Sequence, residues 1–330
     1  MPDSEFEIVN RYFASQAFGG EDIILGMGDD AAVVSMPADK QLVVSIDTLI
    51  SGVHFPLPTS AEDIAWKALA VNLSDLAAMG ASPAWFTLAL SLPEANHNWL
   101  AAFSESLADI SSAYRIPLVG GDTTRGPLSV TIQVAGYVEP GRALLRSGAK
   151  VGDQIFVTGS IGDAALGLYL LQRQSESQVG TDYLSRDLIR RLNRPQPRIE
   201  MGQALQGIAN ACIDISDGLF ADLSHILKAS AVGARLHQAQ IPLSEAAQQF
   251  LSENPPLRST IYNRGDDYEL CFCVPAEKCG QMETMAKEQY CRLSHIGEIV
   301  SGHDLQLFDA QNNLLDYRHD SYDHFMTKQE

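Results

Sequence analysis

The stretch from Val71 to Gly80 (VNLSDLAAMG) constrains this chain more than any other, because it sets a carboxylate among residues that belong in a core. Ser60 reads as an N-cap with Asp63 three residues on. Ile64, Ala68, Leu69, Leu76 and Met79 then keep roughly helical spacing up to a stop at Gly80. Asn72 and Asp75, three apart, project together beside the apolar face. No Lys or Arg lies within a turn of Asp75, so its charge needs a partner from distant sequence or a bound cation.

A chain of 330 residues with 45% hydrophobic content is long enough for two domains with cores of their own. No apolar run is long enough to span a bilayer, and the acidic residues Asp3, Glu5 and Glu7 are the opposite of a signal peptide's basic start, so the sequence points to the cytoplasm and away from membranes. Five cysteines, an odd number without a C-x-x-C pair, argue against a disulfide framework or a zinc site and read as core thiols. A net charge of -18 would repel a phosphate backbone, which excludes nucleic acid as a partner and requires any other anion to arrive with cations.

Taken in order, Ser4 to Glu7 has the form of a capping box opening a helix with Phe6, Val9 and Phe13 on one stripe. Gly26 to Asp30 leads into strand-like runs at Ala31 to Met36 and Leu42 to Asp47, with Asp47 expected at a strand's end. After the Asp75 helix come a strand from Trp85 to Leu92 and a helix whose Trp99, Phe103, Leu107, Ile110 and Tyr114 keep helical spacing. Ile116 to Gly126 repeats the pattern of an apolar strand, two glycines and an acid, Asp122, at the end. Ser129 to Val138 is another strand. A basic, Gly-rich turn from Arg146 to Gly152 marks a boundary, giving domains 1–146 and 147–330. Cys212 to Gly218 is a further strand ending in acids, Asp214 and Asp217, before a helix from Leu219, and Tyr268 to Val274 is a late strand.

Open α/β sheets bind ligands beyond the carboxyl ends of strands, where Asp47, Asp122, Asp214 and Asp217 are expected; Asp29, Asp30 and Asp75 complete the set. Two unit charges 4 Å apart repel by about 4 kcal/mol at an effective dielectric of 20, so such a crowd in one cleft needs divalent cations. The oxygens on offer, from Asp, Ser, Thr and Asn, are hard, which suits Mg²⁺. An isolated Asp in a Gly-rich loop is ordinarily a turn former; it is the recurrence that argues for a site. The run from Asp214 fails the EF-hand pattern, with Gly218 and His225 at ligand positions, and no G-x-x-x-x-G-K-[ST] loop occurs. Gly159 to Gly162 reads either as a phosphate seat or as an ordinary strand-to-helix turn.

Gly28-Asp29-Asp30, Ser45 to Thr48, His54, Asn72 to Asp75, Gly120 to Arg125, Arg146 to Gly148, Asp214 to Gly218, Gly265 to Leu270 and Tyr322 to Phe325, in this order along the whole chain, together resemble the thiamine-monophosphate kinase family of the AIR-synthetase-like (PurM-like) superfamily. The resemblance implies an α/β fold of the α+β type in two PurM-like domains, the first of which dimerises. It implies phosphoryl transfer from ATP to thiamine monophosphate, the last step of thiamine diphosphate synthesis. It also implies Mg²⁺ ligation by Asp30, Ser45, the Ile46 carbonyl, Asp47, Asp75, Asp122, Asp214 and Asp217, with Asp29 a further candidate. ATP contacts fall on Gly121, Asp122, Arg146 and Ser216, and substrate contacts on His54, Asp266 and Tyr322. Two departures stand out: Arg264 and Asp266 replace a Gly and a Glu of the family motif, and Ile46 stands where Thr is common. The acceptor phosphate is already ionised at neutral pH, so no catalytic base or nucleophile is expected, only charge neutralisation and in-line positioning. The competing readings are a selenophosphate-synthetase-like or hydrogenase-maturation enzyme of the same superfamily, and a non-enzymatic metal- or nucleotide-binding regulator. The absence of any Cys before Cys212 speaks against selenium chemistry.

Overall fold

A computed structural model describes residues 5–14, 20, 22–173, 182–259, 261–288 and 291–316. The chain divides into two units, Met1–Ala143 and Leu144–Glu330.

In the first unit, helix α1 (Glu5–Ile8) continues as a π-helix, Val9–Phe13, and buries Tyr12 and Phe13. Ser4, the expected cap, lies outside the described residues. A short antiparallel ribbon, β1 (Ile23–Leu25) with β2 (Val33–Val34), takes up only part of the strand expected from Ala31 to Met36. The main sheet has four strands in the order β3 (Gln41–Ile50), β6 (Ser129–Val138), β4 (Ser82–Leu92), β5 (Leu118–Arg125), and only β4 and β5 run parallel. Helix α2 (Ala61–Ala78) lies against β3, β4 and β6, and α3 (His97–Ala113) packs on α2.

The signals read at the ends of α2 act as expected. Ser60 Oγ accepts from the Asp63 N–H at 3.2 Å. Gly80 takes the left-handed φ of +69° that a residue with a Cβ avoids, which lets Ala81 N–H reach the Leu76 carbonyl at 2.8 Å and close the helix. Between those ends nearly every side chain is buried, including the polar Lys67, Asn72 and Ser74. The α3 stripe is likewise core, with Phe103, Leu107 and Ile110 buried and Trp99 stacked on Phe103 at 4.9 Å.

The expectation that Asp47 and Asp122 cap strand ends is corrected: both lie inside strands, β3 and β5. The physical reason is the sheet type. In a largely antiparallel sheet, side chains are aimed by the alternation of the pleat, and the carboxyl-end rule of parallel sheets does not govern.

The second unit carries β7 (Gln154–Thr158), α4 (Asp163–Arg173), α5 (Tyr183–Asn193), α6 (Ile199–Ala204), β8 (Ala211–Asp214), α7 (Leu219–Ser230), β9 (Gly233–His237), α8 (Glu245–Glu253), β10 (Leu270–Val274), α9 (Met282–Glu288), β11 (Leu293–Val300), β12 (Leu305–Phe308) and β13 (Leu314–Leu315). Its seven-stranded sheet runs β13-β12-β9-β11-β7-β10-β8, with β12 and β9 parallel and the other pairs antiparallel. The alternation of strands and helices read from Gln154 onward therefore builds a mixed sheet. Ile155, Val157, Ile213, Phe220, Leu223, Cys271 and Cys273 belong to its core. The five cysteines are free, four of them buried, in keeping with core thiols. Among the described residues no helix is long and apolar enough to cross a membrane.

One ionic contact is built into this core. Glu269, 3% exposed, accepts from Arg198 Nε at 2.7 Å and Nη2 at 2.6 Å, and from Thr158 Oγ1 at 2.6 Å. The Thr158 hydroxyl oxygen also takes the Leu270 N–H at 2.8 Å, so the carboxylate ties β7 to β10. Glu269→Gln should leave the guanidinium short of its counter-charge and cost roughly 3 kcal/mol, read as a lower urea midpoint with unchanged slope.

Candidate active site

Pleat alternation sorts the candidate residues of the first unit. Along β3, Val43, Ser45, Asp47 and Leu49 turn to the α2 side, while Leu42, Val44, Ile46 and Ile50 turn outward. Asp75, on the α2 face toward the sheet, accepts a short hydrogen bond from Ser45 Oγ. Burial, and after it the Asp75 charge, push the Asp47 carboxyl from 3.8 up to about 6. Ser45, Asp47 and Asp75 are thus one group of hard oxygens in which two carboxylates repel each other. Asn72, fully buried, donates to the Ala68 carbonyl at 3.0 Å, and its Oδ1 has no hydrogen-bond partner. Ile46 turns its side chain outward. Ser51 N–H donates to the Leu128 carbonyl across the β3–β6 pair at 3.2 Å; counting back by twos, Ile46 falls in a non-bonded pair, and its carbonyl turns to the open edge of the sheet.

Other candidates in this unit lie apart from that group. Asp29 and Asp30 are exposed, with Asp29 Oδ1 accepting the Asp30 N–H at 2.8 Å. Asp47 shares a rung with Ile132, Leu88 and Gly121, whereas exposed Asp122 pairs with Ala89 on the next rung and so stands on the opposite face. Among the described residues no three of His, Cys, Asp and Glu come close enough to hold a metal by themselves. His54 follows the end of β3, and its Nδ1 accepts the Ile50 N–H at 3.0 Å.

In the second unit two loops are clasped together. Asp214 ends β8, buried; Ser216 and Asp217 follow it. The Ser216 carbonyl accepts the Asp266 N–H at 2.9 Å, and the Ile215 carbonyl accepts the Tyr268 N–H at 2.8 Å. Gly265 permits this, because a Cβ there would run into the Ser216 carbonyl. Asp266 itself sits at φ +70°, with its carboxylate accepting from Tyr268 Oη at 3.2 Å. Asp214, Ser216, Asp217 and Asp266 are therefore neighbours, held by main-chain bonds between residues far apart in sequence. Arg146 is exposed in the strap whose Leu145 carbonyl accepts the Cys212 N–H at 2.9 Å. Tyr322 lies outside the described residues.

Sequence reasoning passed over several supporting residues. Asp222 Oδ2 accepts the N–H groups of Asp217 and Gly218, at 3.0 and 3.1 Å, and shapes the turn at the start of α7. Burial, outweighing those bonds, pushes its carboxyl up to about 7, with the Asp217 charge adding to it. Asp267 accepts from Gly162 N–H at 2.8 Å and Ala164 N–H at 3.4 Å, and burial drives its carboxyl well above the usual range. The turn from Gly159 to Gly162 thus carries the chain's own carboxylate where a phosphate could have sat, which favours the ordinary strand-to-helix reading. An acid in the first turn of α7 was a legible signal for Asp222; nothing local marks Asp267 as a cap for a helix a hundred residues away.

Residues 28–138 match the family model for the AIR synthase related protein N-terminal domain, and residues 150–310 match that for its C-terminal domain. The thiamine-monophosphate kinase of Escherichia coli K12 is 46% identical over 331 residues, covering 99% of this chain and 100% of that protein. The crystal structure of a thiamine-monophosphate kinase from Stenotrophomonas maltophilia superposes with a TM-score of 0.85 at 44% identity, over 93% of this chain and 97% of that one. AaThiL complexed with AMPPCP and TMP superposes with a TM-score of 0.77 at 30% identity, over 91% of this chain and 92% of that one.

The raised Asp47 carboxyl has a measurable sign. An acid whose folded value lies above its unfolded 3.8 holds its proton better when folded, so its stabilising effect is complete below pH 4 and is lost as pH rises through about 6. With a chelator present, the stability of wild type relative to Asp47→Asn should therefore fall between pH 4 and pH 7, by up to about 3 kcal/mol in urea melts.

Proposed function

The chain belongs to the thiamine-monophosphate kinase family, and from that premise we propose how its residues share out the reaction. The reaction is the ATP-dependent phosphorylation of thiamine monophosphate to thiamine diphosphate, the closing step of thiamine diphosphate synthesis. The observation that carries the assignment is the meeting of Ser45, Asp47 and Asp75, a group of hard oxygens in which two carboxylates repel each other.

The donor set fits Mg²⁺: carboxylates, a hydroxyl and the edge-facing Ile46 carbonyl are hard oxygens, and Asp47 with Asp75 supplies the negative charge that a divalent ion offsets. Asp30, Ser45, Ile46, Asp47, Asp75 and Asp122 of the first unit, and Asp214 and Asp217 of the second, would hold the ions. When bound, Mg²⁺ would neutralise charge between the two phosphate-bearing substrates. Gly121, Asp122, Arg146 and Ser216 are assigned to ATP. The exposed Arg146 guanidinium offers a paired donor to phosphate oxygens, while glycine at 121 is required by strand pairing, since a side chain there would collide with the Leu88 carbonyl. His54, Asp266 and Tyr322 are assigned to thiamine monophosphate. Asp266 is shorter than the family Glu, and the Tyr268 hydroxyl fixes its carboxylate. No group need take a proton from the acceptor, since its phosphate is ionised at neutral pH; the residues orient two anions in line and exclude other geometries.

A second copy of the chain is the partner we assign to the outward face of the four-stranded sheet. Leu42, Val44, Ile46 and Ile50 there are 44%, 50%, 60% and 41% exposed, an apolar row along an edge strand that a two-fold contact would cover. The free thiols suit a reducing compartment, the cytoplasm.

Two outcomes follow. Asp75→Asn should fold as wild type by circular dichroism yet lower kcat/KM by on the order of 100-fold in a coupled assay of ADP release with Mg²⁺ and thiamine monophosphate; wild-type turnover would remove Asp75 from the ligand set. Val44→Glu should shift sedimentation from twice the chain mass to the chain mass, because a charge in a covered apolar row is left unpaired.

A further inference from the structure

The strap from Leu145 to Lys150 carries Arg146, whose exposed side chain takes its direction first from the main chain that bears it. Ser230, the last residue of α7, is committed to that strap. Its Oγ accepts the Gly148 N–H and the Ala149 N–H, each at 3.1 Å, and donates to the Arg146 carbonyl at a longer 3.4 Å. A hydroxyl has one proton to give and two lone pairs to accept with, so all three places are filled by residues 146–149. We propose that Ser230 is a positioning residue for ATP binding, which fixes the main chain of Arg146 and so aims its guanidinium at the phosphates. The proposal rests on the assignment of Arg146 to ATP.

The strap has other holds, and they define what Ser230 adds. The Leu145 carbonyl accepts the Cys212 N–H of β8 at 2.9 Å. Asp153 Oδ2 accepts the Lys150 N–H and Asn210 Nδ2, both at 2.9 Å, and Leu144 and Ala149 are buried. These contacts keep the segment attached to the domain. What orients Arg146 is narrower: the two planar peptide groups that flank its Cα, because the rotations between them set the direction of Cβ. The peptide before Arg146 is held by β8 through the Leu145 carbonyl. The peptide after it is held by Ser230 through the Arg146 carbonyl, and the same hydroxyl gathers the N–H groups of the two peptides that follow. Without the hydroxyl the strap stays in place and the second plane is released.

The hydroxyl stands on a firm support. Helix α7 buries Leu223, Ile226 and Leu227, and it closes at Ala231, φ +54°, with the Val232 N–H on the Leu227 carbonyl at 3.1 Å. In its first turn, Asp222 braces the amides of Asp217 and Gly218. One helix of 12 residues, about 18 Å at 1.5 Å per residue, therefore supports both the Ser216–Asp217 loop and the Arg146 strap. A direct contact of Ser230 with the nucleotide is disfavoured, since it would take a bond away from the strap.

The test uses the full chain with Ser230→Ala, Ser230→Thr, Arg146→Ala and the Ser230→Ala/Arg146→Ala double variant. In steady-state kinetics with Mg²⁺, Ser230→Ala should raise KM for ATP about tenfold and leave KM for thiamine monophosphate within about twofold. Ser230→Thr, which keeps a hydroxyl, should restore most of the loss. The double variant should be no worse than Arg146→Ala, because aim has no value once the guanidinium is gone. Amide hydrogen exchange should be faster at Gly148 and Ala149 in Ser230→Ala, while the amides of Cys212 and Lys150, bonded elsewhere, keep their wild-type rates. If Ser230→Ala does not fold, Ser230→Cys, of similar shape with a feebly bonding thiol, is read in its place. The proposal is overturned if the folded variant keeps the wild-type KM for ATP while Arg146→Ala raises it, or if the loss falls equally on thiamine monophosphate. It is also overturned if the two substitutions multiply, or if the Cys212 and Lys150 amides loosen together with Gly148. If Arg146→Ala itself leaves KM for ATP unchanged, the assignment of Arg146 to ATP fails, and the proposal fails with it.

Discussion

Two like charges held near each other below the protein surface organise the first unit. Asp47 on β3 and Asp75 on α2 would separate if the fold left them free to do so, and the fold does not: Ser45 bonds to Asp75, and α2 is capped at both ends and buried along nearly all its length. The helix is thus built against electrostatic preference at one point and repaid over many apolar contacts. On the Mg²⁺ ligation we propose, the ion would relieve a repulsion already present instead of having to gather its ligands.

The second unit reaches a comparable end by different means. There the candidate residues sit on loops, and rigidity comes from main-chain bonds between the segments 215–217 and 265–268, with Asp222 bracing one loop and Asp267 the other. Glu269, next along the chain, anchors the second loop to the core through Arg198 and Thr158. A run of acids that looks redundant in the sequence is divided by partner: Asp266 takes the Tyr268 hydroxyl, Asp267 the N–H groups of Gly162 and Ala164, and Glu269 the Arg198 guanidinium.

The sequence makes α2 legible from end to end, because caps, periodicity and stop are local signals; the same holds for the α3 stripe and for β8 running into Asp214. It misleads where the deciding information is non-local. Asp47 and Asp122 look alike on paper, each an acid after an apolar run, and only the pairing of β3, β6, β4 and β5 shows them on opposite faces. Asp267 caps a helix far upstream in the chain, a relation that exists only after the sheet has formed.

Strand β3 also limits how this protein can vary. Its two faces carry different duties, acid and hydroxyl on one, aliphatic residues on the other, and a strand's side chains alternate with a period of two. Deleting or inserting one residue before Ser45 would trade the faces, bringing Ile46 under α2 and exporting Asp47 to the surface. Length changes in this strand are thus all-or-nothing events, and natural drift along it is confined to substitution.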